Sequence, residues 1–328
     1  MPNNATLMTI AIPTYNRARM LRRLLEQLDG ELKNNPCVEL IVSDNASDDA
    51  TPALVAEFQA GGMQIRYLQN EANIGADRNI IQCFESAAGE YVWIFSDDDL
   101  MAPGTVDRLL EAITSETYDL VFVTPYFFHG EYRRHKAFNR SPDVTLTRAK
   151  DFAKRVHVLL TFVSGLVVNK KTVSQTPHRP FSNLFDTSLA QLGPVFTALN
   201  AHRKSLVIRD PLVAATANTR VGYSLYEVFG INLNNTARDW LSDPTVRNEL
   251  LKGTLQRFLP FWIFKSREQC ESAVPENPHK VLRSCFGNYL DYWLFDYPVC
   301  ALPLPLAHAW VTFVRAFNRI ERLWASAA

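Results

Sequence analysis

Little in this chain of 328 residues points to a covalent or electrostatic scaffold. Cysteine is scarce: Cys37, Cys83, Cys270, Cys285 and Cys300 are odd in number, and no two form a C-x-x-C pair. That pattern argues against a zinc ribbon or a disulfide framework and leaves reduced, mostly buried thiols. Net charge is absent, because 34 Lys and Arg balance 34 Asp and Glu. A nucleic-acid binder normally carries a basic excess, so nucleic acid is not an expected partner. Glycine is sparse at 13 residues, and neither G-x-G-x-x-G nor G-x-x-x-x-G-K-[ST] occurs. A dinucleotide fingerprint and a P-loop are both excluded. No uninterrupted apolar run of about 18 residues exists, so no spanning helix is expected. Met1–Met8 is short and polar, without the apolar core of a secretory signal, and the expected location is the cytosol.

What is present is an ordinary globular composition, 47% hydrophobic and 21% charged, on a chain long enough for two domains at about 150 residues each. The first 125 residues alternate between short apolar runs and helical periodicity. Strands are expected at Met8–Pro13, Val38–Ser43, Ile65–Leu68, Tyr91–Phe95 and Asp119–Val123. Helices are expected at Arg17–Leu28, Pro52–Phe58 and Ile80–Ala88, with another opened by Pro103. Near-continuous apolar strands between amphipathic helices define an α/β fold with a mostly parallel sheet covered on both faces. Further on, a helix is expected over Arg148–Leu160, a strand over Phe162–Val168 interrupted by Gly165, a helix over Asp186–Leu199 and a strand over Ser205–Ile208. Residues 224–324 read as largely helical and aromatic.

The polar clusters Thr14–Arg17, Asp44–Asp49, Asn70–Asn79 and Ser96–Asp99 all follow strands. In an open α/β sheet, ligands bind outside the carboxyl ends of the strands, so four polar loops converge on one crevice. In Ser96-Asp97-Asp98-Asp99, three adjacent carboxylates repel one another, and a divalent cation relieves the repulsion. Mg²⁺ or Mn²⁺ takes hard oxygen ligands, typically one or two carboxylates plus substrate phosphates. The plainer reading is a solvated turn capping the helix near Pro103. Asp44, directly after a strand, is placed to accept hydrogen bonds from a nucleobase or ribose, while Ser47 or Asp48 caps the next helix.

PTYNR at Pro13–Arg17, SDNASDD at Ser43–Asp49, NIGADRN at Asn73–Asn79 and GEYVWIFSDDDLMAP at Gly89–Pro103 resemble the ordered motifs of family-2 glycosyltransferases, inverting enzymes of the GT-A fold. The resemblance covers about the first 125 residues. It is nearest to transferases that add sugars to bacterial surface polysaccharide such as O-antigen, of the abequosyltransferase-like type. It implies that Pro13, Thr14, Tyr15 and Arg17 line the nucleotide pocket, that Asp44 holds base or ribose, and that Asn73, Gly75 and Arg78 shape the loop beside the nucleotide. The family's acidic motif often reads D-x-D-D, then three residues, then Pro. Pro103 fixes that register, so Ser96 replaces the first Asp. Asp98 becomes the foremost metal ligand, Asp97 contacts ribose or metal, and Asp99 is the third metal candidate.

The implied reaction is transfer of a hexosyl or deoxyhexosyl group from a nucleoside-diphosphate sugar to a polysaccharide or lipid-linked acceptor, with Mn²⁺ or Mg²⁺. A base deprotonates the acceptor hydroxyl, which displaces the diphosphate directly. Many relatives supply the base from a Glu-Asp pair at a helix start. None occurs between residues 150 and 220. Asp186, at the head of an apolar helix, is the nearest match and reads equally as an N-cap; Asp210 is the reserve. His129, His157, His178 and His202 lack metal-ligand spacing, and Arg220 reads as a surface ion pair. A nucleotidyltransferase and a non-catalytic nucleotide-sugar scaffold are the alternatives.

The expected organisation is a GT-A domain over 1–222, with a nucleotide-sugar half at 1–125 and an acceptor half at 126–222, followed by a helical extension over 223–328. Leu306–Trp324 fits one helix with Trp310, Phe313, Val314, Phe317, Ile320 and Trp324 on one side and Arg315, Arg319 and Arg322 largely on the other. That pattern suits either peripheral contact with the inner membrane face or docking on the protein itself. The basic stretch Arg133–Lys136 reads as solvated surface or as an aid to membrane contact.

Overall fold

A computed structural model of the chain describes residues 6–33, 35–128, 142–216, 224–268 and 278–327, with side chains as far as Arg319. The basic stretch 133–136, His129, Arg220 and Cys270 lie outside the described residues. The chain forms two compact units: Met1–Phe152 with Leu159–Arg220, and Ala153–Val158 with Val221–Ala328.

The first unit opens with β1 (Met8–Thr14), α1 (Ala18–Leu32), β2 (Val38–Asp44), α2 (Thr51–Ala60), β3 (Ile65–Gln69), α3 (Ala76–Ser86) and β4 (Tyr91–Ile94). These strands are parallel in the order β3-β2-β1-β4. In β1, Ile10 and Ile12 on one face and Thr9 and Ala11 on the other are all buried, as a strand covered on both faces requires. In α1, Leu21, Leu24, Leu25 and Leu28 are fully buried, each contributing about 2 kcal/mol of transfer free energy. The turn before β4 needs glycine, since a Cβ at Gly89 would lie 2.6 Å from the Thr9 backbone nitrogen.

The second half of this unit departs from a uniform parallel sheet. It adds β5 (Leu100–Met101), α4 (Thr105–Ser115), β6 (Leu120–Phe128), β7 (Val144–Leu146), the start of α5 (Ala149–Val156), β8 (Leu166–Asn169), α6 (Lys170–Gln175), α7 (Leu192–Asn200) and β9 (Ser205–Thr216). The full order is β3-β2-β1-β4-β8-β6-β9-β5, with β7 beside β9. β8 runs antiparallel to both β4 and β6, whereas β6 and β9 are parallel.

Several sequence expectations change here. The helix expected over Arg148–Leu160 ends at Val156 and passes into a 3-10 turn, with His157 at φ 46°. The strand expected over Phe162–Val168 starts only at Leu166, after a 3-10 turn at Val163–Gly165. The cause is close packing: a Cβ at Gly165 would sit 2.8 Å from the Phe162 ring and 3.2 Å from that of Phe122. The helix expected from Asp186 starts at Leu192, because Asp186 and Ser188 hold left-handed backbone, φ 66° and 60°. The strand at Ser205 runs on to Thr216, absorbing Pro211 where the pairing register with β6 shifts.

The second unit is helical: α8 (Leu233–Trp240), α9 (Pro244–Gly253), α10 (Leu259–Glu268), α11 (Pro278–Phe286), α12 (Tyr297–Ala301) and α13 (Leu304–Ala327). Wide π-helical stretches at Glu227–Asn232, Thr254–Phe258 and Tyr292–Asp296 run into α8, α10 and α12. The core includes Leu233, Leu250, Leu259, Ile263, Leu282 and Phe286. Ala307, Val311, Val314 and Asn318 are the buried positions of α13, whereas Phe313 and Phe317 are exposed. The single apolar side read from the sequence is therefore two faces. Among the described residues no helix is long and apolar enough to cross a membrane.

Candidate active site

The carboxyl ends of β2, β1 and β4 form the site, and Thr14 sits at its centre. Its backbone pairs in register with Asp44 at the end of β2. Its hydroxyl donates to Asp97 Oδ2 at 2.7 Å, just past β4. Asp44 and the acidic triplet thus share one rim, separated by two strand spacings of about 4.8 Å each.

Each carboxylate of the triplet has protein donors of its own. Asp97 is buried; its other oxygen accepts from Arg17 at 3.0 Å. Burial pushes its pKa up to about 6 against the opposing pull of Arg17. Asp99, also buried, accepts from the Ser164 hydroxyl at 2.7 Å and the Thr216 amide at 3.1 Å. Burial pushes its pKa up to about 7. Asp98 is the open member: its side chain is 23% exposed, accepting from Ser96 at 2.6 Å and Arg17 at 3.2 Å. Arg17 is in turn held charged by Asp97, which outweighs its burial.

Asp44 is fully buried and accepts from the Ser47 amide at 2.9 Å and the Tyr67 hydroxyl at 2.5 Å. Burial, and then the bond to Asp44, push the Tyr67 hydroxyl well above the usual phenol range. Helix capping falls to Asp49 rather than Ser47 or Asp48. Asp49 accepts the first amide of α1, from Ala18, at 3.0 Å and the first amide of α2, from Thr51, at 2.8 Å. Ser47 instead receives the Asn16 amide at 2.9 Å, fixing a residue held at φ 53°.

The third loop is tied to the same rim. Asn45 donates to Asn73 at 2.8 Å and accepts from the Ile74 amide at 2.9 Å. Gly75, at φ 89°, sits where a side chain would be strained, and its amide bonds Asn73. Arg78 on the first turn of α3 lies 4.7 Å above the Phe185 ring and bonds Asp186 at 3.2 Å. Asp186 therefore reaches the rim as an exposed, left-handed loop residue, not as a helix cap. Asp210 lies inside β9 and is buried, up to about 20 Å along the strand from Thr216. Pro13 and Tyr15 flank Thr14, and Tyr15 is exposed.

Four positioning residues are unsigned in the sequence reading. Ser164 binds Asp99 and also receives the Ser96 amide at 2.9 Å, while its carbonyl accepts the Trp93 indole. Thr216 donates to the Asp98 carbonyl at 2.6 Å. Tyr67 caps Asp44. Asp77, buried on α3, accepts the amides of Ser188 at 2.9 Å and Ala190 at 3.3 Å, anchoring the Asp186 loop. Burial raises its pKa. The described cysteines are free, and burial pushes the Cys83 thiol up to about 12, so it is unreactive.

A mixed sheet whose polar rim joins these loops is the GT-A type of fold. Solved structures of that shape superpose on the chain. S. aureus TarS 1-349 in complex with UDP gives a TM-score of 0.58 at 16% identity over 98% of this chain and 92% of that one. The mannosyltransferase PcManGT of Pyrobaculum calidifontis, in complex with GDP-Man and Mn²⁺, gives 0.54 at 15% identity over 99% and 85%. Residues 9–165, just under half of the chain, match the model of glycosyl transferase family 2. Over 111 residues it is 35% identical to the abequosyltransferase RfbV of Salmonella typhimurium, covering 34% of this chain and 33% of that protein. A GalNAc(5)-diNAcBac-PP-undecaprenol beta-1,3-glucosyltransferase of Campylobacter jejuni is 28% identical over 116 residues, 35% and 37% of the two chains. The chain spans about a third of the length of these curated relatives.

Proposed function

We propose that the chain transfers a hexosyl or deoxyhexosyl group from a nucleoside-diphosphate sugar to a hydroxyl of a polysaccharide or lipid-linked saccharide, with inversion at the anomeric carbon. The observation that carries this is the double engagement of Thr14, paired with Asp44 on one side and bonded to Asp97 on the other. The strands that lead to these two carboxylates, β2 and β4, lie two strand spacings apart, about 10 Å between backbones, a span on the scale of a nucleoside diphosphate. The relatives' names support a bacterial saccharide acceptor, and one supports a lipid diphosphate carrier.

Asp44 uses its remaining lone pairs to accept from base or ribose, with Tyr67 fixing its orientation. Tyr15 offers an exposed ring at the same rim. The donor set also fits a divalent cation. Asp98 is an accessible hard oxygen ligand, whereas the oxygens of Asp97 and Asp99 are already engaged by protein donors. Among the described residues no group of three His, Cys, Asp or Glu is arranged to hold a metal ion. Most remaining ligands of Mn²⁺ or Mg²⁺ would then come from the diphosphate and water. When bound, the cation neutralises charge on the departing diphosphate. Arg17, released from Asp98, supplies further positive charge at the same place. Asp186 accepts the proton of the acceptor hydroxyl, while Arg78 holds the loop to the donor side of the site.

The test is a panel of nucleotide sugars with Mn²⁺ or Mg²⁺ and a polyprenyl-diphosphate-linked saccharide acceptor. Transfer with release of nucleoside diphosphate is expected. Pyrophosphate release from a nucleoside triphosphate and a sugar phosphate would assign a nucleotidyltransferase instead. Tight donor binding with no turnover across the panel would assign a scaffold.

A further inference from the structure

Large apolar side chains left in solvent are concentrated in one place. Of eleven exposed among the described residues, eight lie between Leu290 and Phe317. Leu290, Trp293, Leu294 and Tyr297 stand on the wide helix that enters α12, while Tyr292, Asp296 and Val299 of the same stretch are buried. Leu306, Phe313 and Phe317 stand on α13. The two sets meet where the Phe295 and Phe317 rings lie 6.1 Å apart.

At about 100° per residue, α13 has three faces. Ala307, Val311, Val314 and Asn318 pack inward. Arg315 and Arg319 are exposed on a second face, with Arg315 lying 4.4 Å above the Phe261 ring. Leu306, Phe313 and Phe317 form the third, and Phe313 is 56% exposed. A helix that only docked on its own protein would leave this last face polar.

The patch is bordered by positive charge. α11 presents exposed Lys280 and Arg283 and contains no acidic residue. The Arg283 guanidinium lies 5.7 Å above the Trp293 ring, directly at the edge of the patch. From Tyr297 to Arg319 the chain contains Arg315 and Arg319 and no Asp or Glu. Of the two carboxylates just before, Asp291 is half-buried and Asp296 fully buried. A second copy of the chain would bring two cationic borders together. A surface of anionic headgroups over acyl chains complements both the charge and the apolar centre.

We propose that this face of the helical unit lies on an anionic lipid surface, with Trp293, Phe313 and Phe317 entering the acyl boundary and Lys280 and Arg283 at the headgroups. The proposal deepens the transferase reading, on which it rests for its purpose: it holds the enzyme at the surface that carries a lipid-linked acceptor.

The full chain, mixed with vesicles of phosphatidylcholine alone or with phosphatidylglycerol added, is floated on a density gradient. It is expected to rise with the phosphatidylglycerol vesicles and to stay behind with phosphatidylcholine alone. Phe313→Glu combined with Phe317→Glu, both at exposed positions, lowers the partition constant by at least about tenfold. Lys280→Glu with Arg283→Glu weakens binding by about fivefold for each cation lost. Failure to float with either lipid, or equal flotation with both, overturns the proposal. So does a concentration-dependent dimer that Phe313→Glu with Phe317→Glu dissociates, since it assigns the face to self-association. Diphosphate release from the donor with a water-soluble saccharide acceptor, measured without vesicles, keeps the two readings apart. Its absence beside normal flotation sinks only the transferase, and its presence without flotation sinks only the lipid docking.

Discussion

Asp97, Asp98 and Asp99 are neighbours in sequence with three different supports: Thr14 and Arg17 for the first, Ser96 and Arg17 for the second, Ser164 and Thr216 for the third. This division leaves one accessible carboxylate among three; Asp44 is supported in the same way by Tyr67. Tyr67→Phe removes one donor from a buried carboxylate, a loss of about 1.5 kcal/mol. The donor KM is expected to rise about tenfold while kcat stays within about twofold, as steady-state kinetics with a saturating acceptor would show. An equal fall in kcat would mean that Tyr67 acts on the chemistry. Asp186→Asn has the opposite signature. It keeps donor binding and lowers kcat by about 10²–10⁴-fold, the range for loss of a general base; unchanged transfer would move the base elsewhere. The acidic triplet was legible as a cluster because three adjacent carboxylates after an apolar strand are conspicuous. Its supports were not, because Ser164 and Thr216 come from 65 and 117 residues further along the chain. Only the folded sheet brings them together.

Elements were legible where local periodicity and burial agree. Strands β1 to β4 and helices α1 to α3 follow their apolar patterns to within a few residues. Prediction failed where tertiary packing overrides pattern: the antiparallel insertion of β8, the 3-10 turn at Ser164 and the left-handed Asp186 loop. That loop depends on Asp77, which reads as an unremarkable charge on the first turn of a helix. Asp77→Ala orphans the amides of Ser188 and Ala190. Faster hydrogen exchange at those two amides is expected, with transfer reduced at least about tenfold and donor binding retained. Unchanged exchange would show that the loop is held by other means.

The wide helix before α12 carries a buried carboxylate. Asp296 is fully buried, and neither of its carboxylate oxygens has a hydrogen-bond partner among the described residues. Burial, with Asp291 adding repulsion, raises its pKa well above the carboxylate range. Protonation therefore favours the fold. The stabilisation is complete below the unfolded value of about 4 and is lost as pH climbs toward the folded value, at up to about 1.4 kcal/mol per pH unit. Thermal unfolding of Asp296→Asn, compared with the native chain, should show less loss of stability between about pH 5 and about pH 8, a range above that unfolded pKa. Parallel curves would place a compensating charge beside Asp296.

At the scale of the whole molecule, one unit carries the sheet and its rim and the other is a helical body with a cationic, apolar surface. The family segment 9–165 covers β1 to the turn at Gly165, so it contains the acidic triplet, Asp44 and Ser164 but neither Asp186 nor Thr216. The loops proposed to hold the donor were therefore legible through motifs, and the residues proposed to face the acceptor had to be read from geometry. The charge balance of the whole chain also conceals the local excess around Trp293 and Phe313, which becomes visible only when α11 and α13 are placed in three dimensions.

If a single rim organised by Thr14 grips a nucleoside diphosphate together with a divalent cation, binding depends on both Asp44 and Asp98. Calorimetric titration of UDP, GDP, CDP and dTDP, each with Mn²⁺ and with EDTA, tests it most directly on the native chain, Asp98→Asn and Asp44→Ala. One of the four is expected to bind far more tightly with Mn²⁺, Asp98→Asn to abolish the cation's contribution, and Asp44→Ala to weaken binding with or without the cation. Binding that neither substitution alters would contradict that dependence.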